Sequence, residues 1–347
     1  MKKVVSFSGG RTSAYLCKIM IDTYGKENVD FIYMDTGAEH SKTYDFIKNV
    51  NREFGLDLIC LRGDFNQPLG KGVGYSVVDI NDLKPDLVPY KEMMQKYGVP
   101  YIGGMFCTDR MKLKPFQKYC NDAYGKKNYE TWLGIRADEP KRYLSANVVS
   151  LMNDPDEDCN EMFSELFKTM RLNKGDVNGP FDIFDGMWPE PSNYERSRFD
   201  CLWDRTVSAI DEAYKNKTKN NLFYMAEISD FDKQDVLDWW VKMPFDLGID
   251  EWLGNCVFCP KKSNLKLAAA QRDEPSDYIE FVEILHGDSV RFDDNTGDRN
   301  HMYRGKQSLE SLIAKFDGST GKEIKARIRG GKMIDTNSCS ESCEVFQ

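Results

Sequence analysis

Residues Val4-Val5-Ser6-Phe7 run without a break into Ser8-Gly9-Gly10-Arg11-Thr12-Ser13, and over residues 13–24 the apolar side chains return at helical spacing. A short apolar run, a double-glycine turn and an amphipathic helix in that order predict a strand–loop–helix unit, which needs a sheet covered by helices to bury it. In such a unit the first N–H groups of the helix have no intrahelical partner and point into the turn. Two glycines permit positive φ and let the backbone approach an anion. The hydroxyls of Ser8 and Ser13 and the cation of Arg11 then complete a nest suited to phosphate. The alternative at the level of the residues is a plain Gly-Gly turn joining strand to helix.

The alternation continues with an apolar run at 29–34, a helical pattern at 42–54, a second apolar run at 56–61, and a strand candidate Tyr129–Leu133 that stops at Gly134. These predict an α/β protein, a Rossmann-like parallel sheet flanked by helices, with any nucleotide at the carboxyl ends of the strands. A chain of 347 residues accommodates this as one large domain with insertions. The composition divides it into a nucleotide-binding core at 1–150, an acidic, mostly helical insertion at 151–220, the remainder of the core at 221–314, and a mobile tail at 315–347. The insertion opens on Asp154, Asp156, Glu157 and Asp158; the tail is marked by Gly318, Gly321, Gly330 and Gly331 among many charges. A helical pattern at 232–240 leads into a cysteine loop.

A net charge of −9 argues against a protein coated with nucleic acid. No apolar run approaches the roughly 20 residues that span a membrane, and Met1-Lys2-Lys3 runs too quickly into the first strand to be a secretory leader. The expectation is a cytoplasmic protein with no membrane partner. Ten cysteines in such a setting read as thiols, metal ligands or redox groups rather than a disulfide framework. Cys256-Val257-Phe258-Cys259, flanked by Gly254 and Pro260, has the local form of a metal knuckle, though two thiolates alone hold no metal securely. Cys17, Cys60 and Cys201 sit in apolar contexts and read as core residues, whereas Cys159 in the acidic insertion carries no assignment. His40, His286 and His301 are scattered and suggest no hydrolase triad. The basic run Arg110, Lys112, Lys114, Lys118, Lys126, Lys127 suits nucleotide phosphates, a nucleic-acid backbone or a solvated helix face. Gly70-Lys71-Gly72-Val73-Gly74 reads as a loop, and Tyr303-Arg304-Gly305-Lys306 as a further anion contact.

Ser-Phe-Ser-Gly-Gly-Arg-Thr-Ser resembles the pyrophosphate loop of the adenine nucleotide α-hydrolase superfamily, whose usual form is Ser-Gly-Gly-Lys-Asp-Ser. The resemblance extends to the phosphoadenosine phosphosulfate (PAPS) reductase family, phage-encoded members included. It runs through Met34-Asp35-Thr36-Gly37 with Lys42-Thr43-Tyr44, Cys107-Thr108 with Lys112 and Pro115-Phe116, and Leu133-Gly134-Ile135-Arg136 with Arg142. Arg11-Thr12 replaces Lys-Asp, and Cys107-Thr108 replaces the paired cysteines of the iron–sulfur members. The resemblance implies nucleotide contacts at Ser8, Gly9, Gly10, Arg11, Thr12 and Ser13, an adenosine contact at Asp35 and Thr36, and contacts to the phosphate or sulfate end at Gly134, Arg136 and Arg142. It also implies that the Cys107 loop approaches the nucleotide site. Cys107, Cys256 and Cys259, with Cys120 as candidate fourth ligand, would then suit a [4Fe–4S] cluster, Zn²⁺ being the alternative. If Cys120 does not reach, one iron stays open and can hold sulfide. Cys343, four residues after Cys339, stands in a carboxyl-terminal segment as the family's nucleophilic cysteine does, but the form Glu-Cys-Gly-x-His is missing around it, and the alternative is a plain exposed tail cysteine.

Three functions follow from the resemblance. The first is a reductase-like enzyme of a PAPS-like sulfonucleotide, fed by a thiol reductant protein. The second is an adenylating, sulfur-inserting enzyme that uses ATP, with Mg²⁺, on a nucleic acid or a nucleotide. The third is a non-catalytic adenine-nucleotide binder of phage type.

Overall fold

The computed structural model describes residues 1–102, 106–136, 138–139, 142, 215, 217–291, 303–304 and 306–330. Within these, six strands form one sheet in the order β4-β3-β2-β1-β5-β6: β1 (Lys2–Phe7), β2 (Val29–Asp35), β3 (Ile59–Asp64), β4 (Gly74–Val78), β5 (Tyr129–Leu133) and β6 (Leu222–Tyr224). All neighbours are parallel except β3 and β4, so the expected Rossmann-like α/β sheet is present with one antiparallel edge. The third strand lies later than the apolar run at 56–61 indicated. Gly55 closes the preceding helix in a left-handed turn, and pairing with β2 begins only at Ile59.

β1 shows why the sheet must be covered on both sides. Val5 and Phe7 pack with Leu16 and Met20 of helix α1 (Arg11–Tyr24) and with Phe46 and Val50 of α2 (Ser41–Phe54), while Val4 packs with Phe116 and Cys120 of α4 (Lys114–Tyr124). Successive side chains of a strand point to opposite faces, and here both faces are apolar. Helix α3 (Val88–Tyr97) belongs to a second core, built with α6 (Asn264–Asp273), α7 (Pro275–Leu285), α8 (Leu309–Ala314) and α9 (Gly321–Gly330) around Phe258, Phe281 and Leu312. Helix α5 (Lys233–Val241) starts on a capping box of Asp232 with Asp235 and seats Val236 and Trp240 in the first core.

Helix α9 lies within the segment 315–347 that the sequence marks as a tail. Ile324 is fully buried, Ile328 packs partly buried against the same core, and Lys325 pairs with Asp273 of α6, so two apolar side chains in a charged segment dock it. Residues 331–347 and most of 151–220 lie outside the described residues. No described helix is long and apolar enough to cross a membrane.

Candidate active site

The carboxyl ends of β1 and β5 open onto a cavity of about 320 Å³. One wall is the loop Ser8–Ser13 with Thr43, a second is Gly134, Arg136 and Arg142, and the third comes from α5 and the segment after it, including Val236, Leu247, Ile249, Asp250, Gly254 and Asn255. The loop is ordered by its own hydroxyls: Ser13 Oγ accepts from the Ser8 amide at 3.2 Å, lies 2.9 Å from Ser8 Oγ and donates to the Gly10 carbonyl at 3.1 Å. Helix α1 begins with no acidic residue in its first turn and no side-chain cap, which leaves its positive end turned to the loop. Only one of the two glycines needs its freedom: Gly9 has φ 81°, whereas Gly10 has φ −99° in extended backbone.

The cationic side chains behave differently from one another. Arg136, 5% exposed, reaches Thr12 Oγ1 at 3.1 Å and Asp138 at 2.8 Å, so it is built into the loop's side of the cavity. Arg142 pairs with Glu139 at 2.8 Å. Arg11 is engaged from the far side of the cavity, its Nε and Nη2 donating to the two Asp246 oxygens at 2.6 and 2.7 Å.

Asp35 and Thr36 do not line this cavity. The Asp35 carboxyl is wholly buried and accepts from the Gly37 amide (2.9 Å), Tyr44 hydroxyl (2.9 Å) and Arg62 Nε (2.7 Å). Burial, then the nearby Glu39, push its pKa up against the pull of Arg62. Thr36 donates to Glu39 at 2.7 Å and lies 3.6 Å from Cys256 Sγ. It therefore belongs to a second, small cavity, lined also by Tyr90, Cys107, Thr108, Met111, Lys112, Cys256, Cys259 and Pro260.

Cys107, Cys256 and Cys259 all line that second cavity. Cys107 stands at the start of a π-helical turn, Thr108–Leu113, that runs into α4. The Cys256 loop is pinned to the end of β2 by an antiparallel bridge between Glu39 and Cys256 and by the Val257 amide donating to the Ala38 carbonyl at 2.9 Å. Buried Lys262 donates back to the carbonyls of Trp252 (2.6 Å) and Val257 (2.9 Å), and Arg304 donates to the Pro260 carbonyl (2.7 Å). Arg304 thus braces the cysteine loop instead of offering the anion contact that its sequence position suggested. Neither brace was legible beforehand, because a lysine beside a Cys-x-x-Cys pair gives no sign of which way it turns.

Cys120 is not part of the group. It is fully buried in the core with Val4, Ile32 and Phe116, where burial pushes its thiol well up, so it is a core residue and not a fourth ligand. Cys60, also in the core, is pushed up to about 12 by burial. The basic run from Arg110 does not make one outward strip. Arg110 and Lys114 pair with Asp109, Lys118 pairs with Asp122, and Lys112 is buried with its Nζ 3.6 Å from Glu39. Among the described residues no three His, Cys, Asp or Glu side chains stand as a ready metal-holding group. Cys343, Cys339, Cys159, Cys201 and His301 lie outside the described residues.

Comparison with known proteins adds to this geometry. Residues 2–68 match the phosphoadenosine phosphosulfate reductase domain, the stretch that holds β1, the phosphate loop, β2 and β3. The chain is similar over its whole length to an uncharacterized nin region protein, ORF290, of Escherichia phage lambda, at 37% identity over 351 residues and 96% of that protein. Two uncharacterized proteins of Methanocaldococcus jannaschii are each 26% identical, over 133 and 117 residues, or 38% and 33% of this chain and 22% and 21% of their own lengths. No solved structure matches.

Proposed function

The chain belongs to the phosphoadenosine phosphosulfate reductase family, and from that premise we propose that it binds an adenine nucleotide, ATP or a sulfonucleotide, for sulfur chemistry. The observation that carries the reading is a stretch of three consecutive residues. Gly254 and Asn255 line the phosphate-loop cavity, and Cys256 lines the thiol cavity. A nucleotide held at the loop would sit one residue along the chain from a cysteine.

The chain's own groups divide the work. The amides of the loop and of the first turn of α1 would take the phosphates, with Arg136 as the adjoining positive charge. The Cys256 sulfur lies 3.6 Å from Thr36 Oγ1 and 4.0 Å from Glu39 Oε1, and Lys112 pairs with that same Glu39. By donor type, Cys107, Cys256 and Cys259 fit an iron–sulfur cluster. They offer three sulfurs from two loops facing one cavity, with the buried Lys112 ammonium as countercharge. When bound, such a cluster would supply electrons or hold sulfide for transfer. Zinc suits the same donors in a structural role. Thiols used in this way need the reducing cytoplasm.

The position of Cys120 in the core favours a second reading within the same family. With three cysteines at the cavity, sulfur insertion into a nucleotide or nucleic acid activated by ATP becomes the companion to sulfonucleotide reduction. Protein prepared without oxygen is expected to be brown and to contain iron and acid-labile sulfide, and Cys256→Ala/Cys259→Ala to be colourless with an unchanged circular dichroism spectrum. Colourless wild-type protein carrying stoichiometric zinc would refute the iron assignment. The two chemistries separate by product. Sulfite released from PAPS and lost in Cys343→Ser means reduction by a tail thiolate, whereas pyrophosphate released from ATP only with an acceptor present, and retained in Cys343→Ser, means sulfur insertion.

A further inference from the structure

Arg11 sits in the phosphate loop at the first position of α1, where a cation is expected to meet the ligand, yet its guanidinium fork closes on Asp246 at 2.6 and 2.7 Å. The same residue is held a second time, since its carbonyl accepts from Trp240 Nε1 at 3.0 Å and Trp240 is itself buried against Phe46. The two bonds flank the start of the segment 242–255, which supplies Leu247, Ile249, Asp250 and Asn255 to the cavity wall opposite the loop. The Asp246 carboxylate is a fixed acceptor. Although burial works against it, the hydrogen bonds from Arg11 and from the Leu247 and Gly248 amides keep it below the usual carboxylate range.

We infer that Arg11 is a positioning residue and not a phosphate ligand: its two-pronged pairing with Asp246 holds the 242–255 segment as the wall that fits the nucleoside part of the ligand. The inference rests on the reading of this cavity as an adenine-nucleotide site. It explains why arginine stands where the superfamily's usual loop has lysine. A planar fork grips a carboxylate through two parallel bonds, which a lysine ammonium cannot reproduce. Phosphate is left to the backbone amides and to Arg136, which contacts the loop through Thr12.

The test is a double-mutant cycle on Arg11→Lys and Asp246→Asn, with ATP and inorganic pyrophosphate as probes in calorimetry and amide exchange of residues 242–250 measured without ligand. Each single variant is expected to bind ATP about tenfold more weakly, the double variant no more weakly than either, and pyrophosphate to bind each within about twofold of wild type. Exchange at 242–250 is expected to quicken in all three variants. Tighter binding of ATP and pyrophosphate by Asp246→Asn would overturn the inference, because it would mean that the carboxylate merely competes for a phosphate-binding arginine. Equal weakening of both probes in Arg11→Lys, or unchanged exchange in the variants, would overturn it as well. Wild-type protein that binds no ATP would instead sink the nucleotide reading itself, and the role of Arg11 with it.

Discussion

Replacing Gly9 by valine is expected to abolish adenine-nucleotide binding, a loss of at least about 100-fold in affinity. Gly9 has φ 81°, a conformation that costs an L-residue roughly 1–2 kcal/mol and a β-branched one more. A Cβ there would also stand 3.0 Å from Ile47 Cδ1 and 3.2 Å from Thr43 Cγ2, with overpacking of this kind costing about 1–3 kcal/mol. Since Ile47 is fixed in the core beneath the loop, the loop is what yields, and its amides leave the positions that face the ligand. Gly10 makes the contrast. Its φ is −99° and a Cβ would meet nothing closer than Ser8 Oγ at 3.8 Å, so Gly10→Ala is expected to melt like wild type. Calorimetry with ATP and a thermal melt on each variant decide the matter. Wild-type affinity in Gly9→Val would remove the phosphate loop from the binding site.

Arg62→Met is expected to cost roughly 3–5 kcal/mol of stability, the usual consequence of leaving a buried charge without its partner. Asp35 and Arg62 are register partners on β2 and β3, and the carboxyl is wholly buried with Arg62 Nε at 2.7 Å. The pH dependence identifies the cause. Burial and Glu39 already raise Asp35 against the opposing pull of Arg62, so removing that pull raises it further. A carboxyl whose pKa is higher folded than unfolded costs no stability below its unfolded pKa and an increasing amount as pH rises towards its folded pKa. The deficit of Arg62→Met should therefore be largest at neutral pH and shrink on acidification. Denaturant melts across the acid range measure it, and a deficit that is small or independent of pH would show that Asp35 does not depend on this partner.

Covalent neighbours and local periodicity determined much of this protein. The order strand, Ser8-Gly9-Gly10 and helix already implies a parallel sheet with an anion site at its edge, because an apolar strand needs cover on both faces and a helix start offers unpaired amides. Cys256 and Cys259 are three positions apart, so their shared loop was equally legible. What the sequence could not determine is which distant groups meet. Arg11 and Asp246 are 235 positions apart, and nothing around Arg11 distinguishes a fork for phosphate from a fork for carboxylate. Asp35 follows a strand as a ligand residue would, but the pairing of β2 with β3 sets Arg62 beside it and turns it inward. Cys107 stands just before the basic segment and Cys120 within it, yet one reaches the thiol cavity and the other the core, since the π-helical turn and α4 carry them to different faces. Helix α9 was hidden because its burial rests on Ile324 meeting a surface made by other helices. Each of these outcomes is decided by packing between residues remote in the chain, where partner and dielectric, not residue type, choose what a charge or a thiol can do.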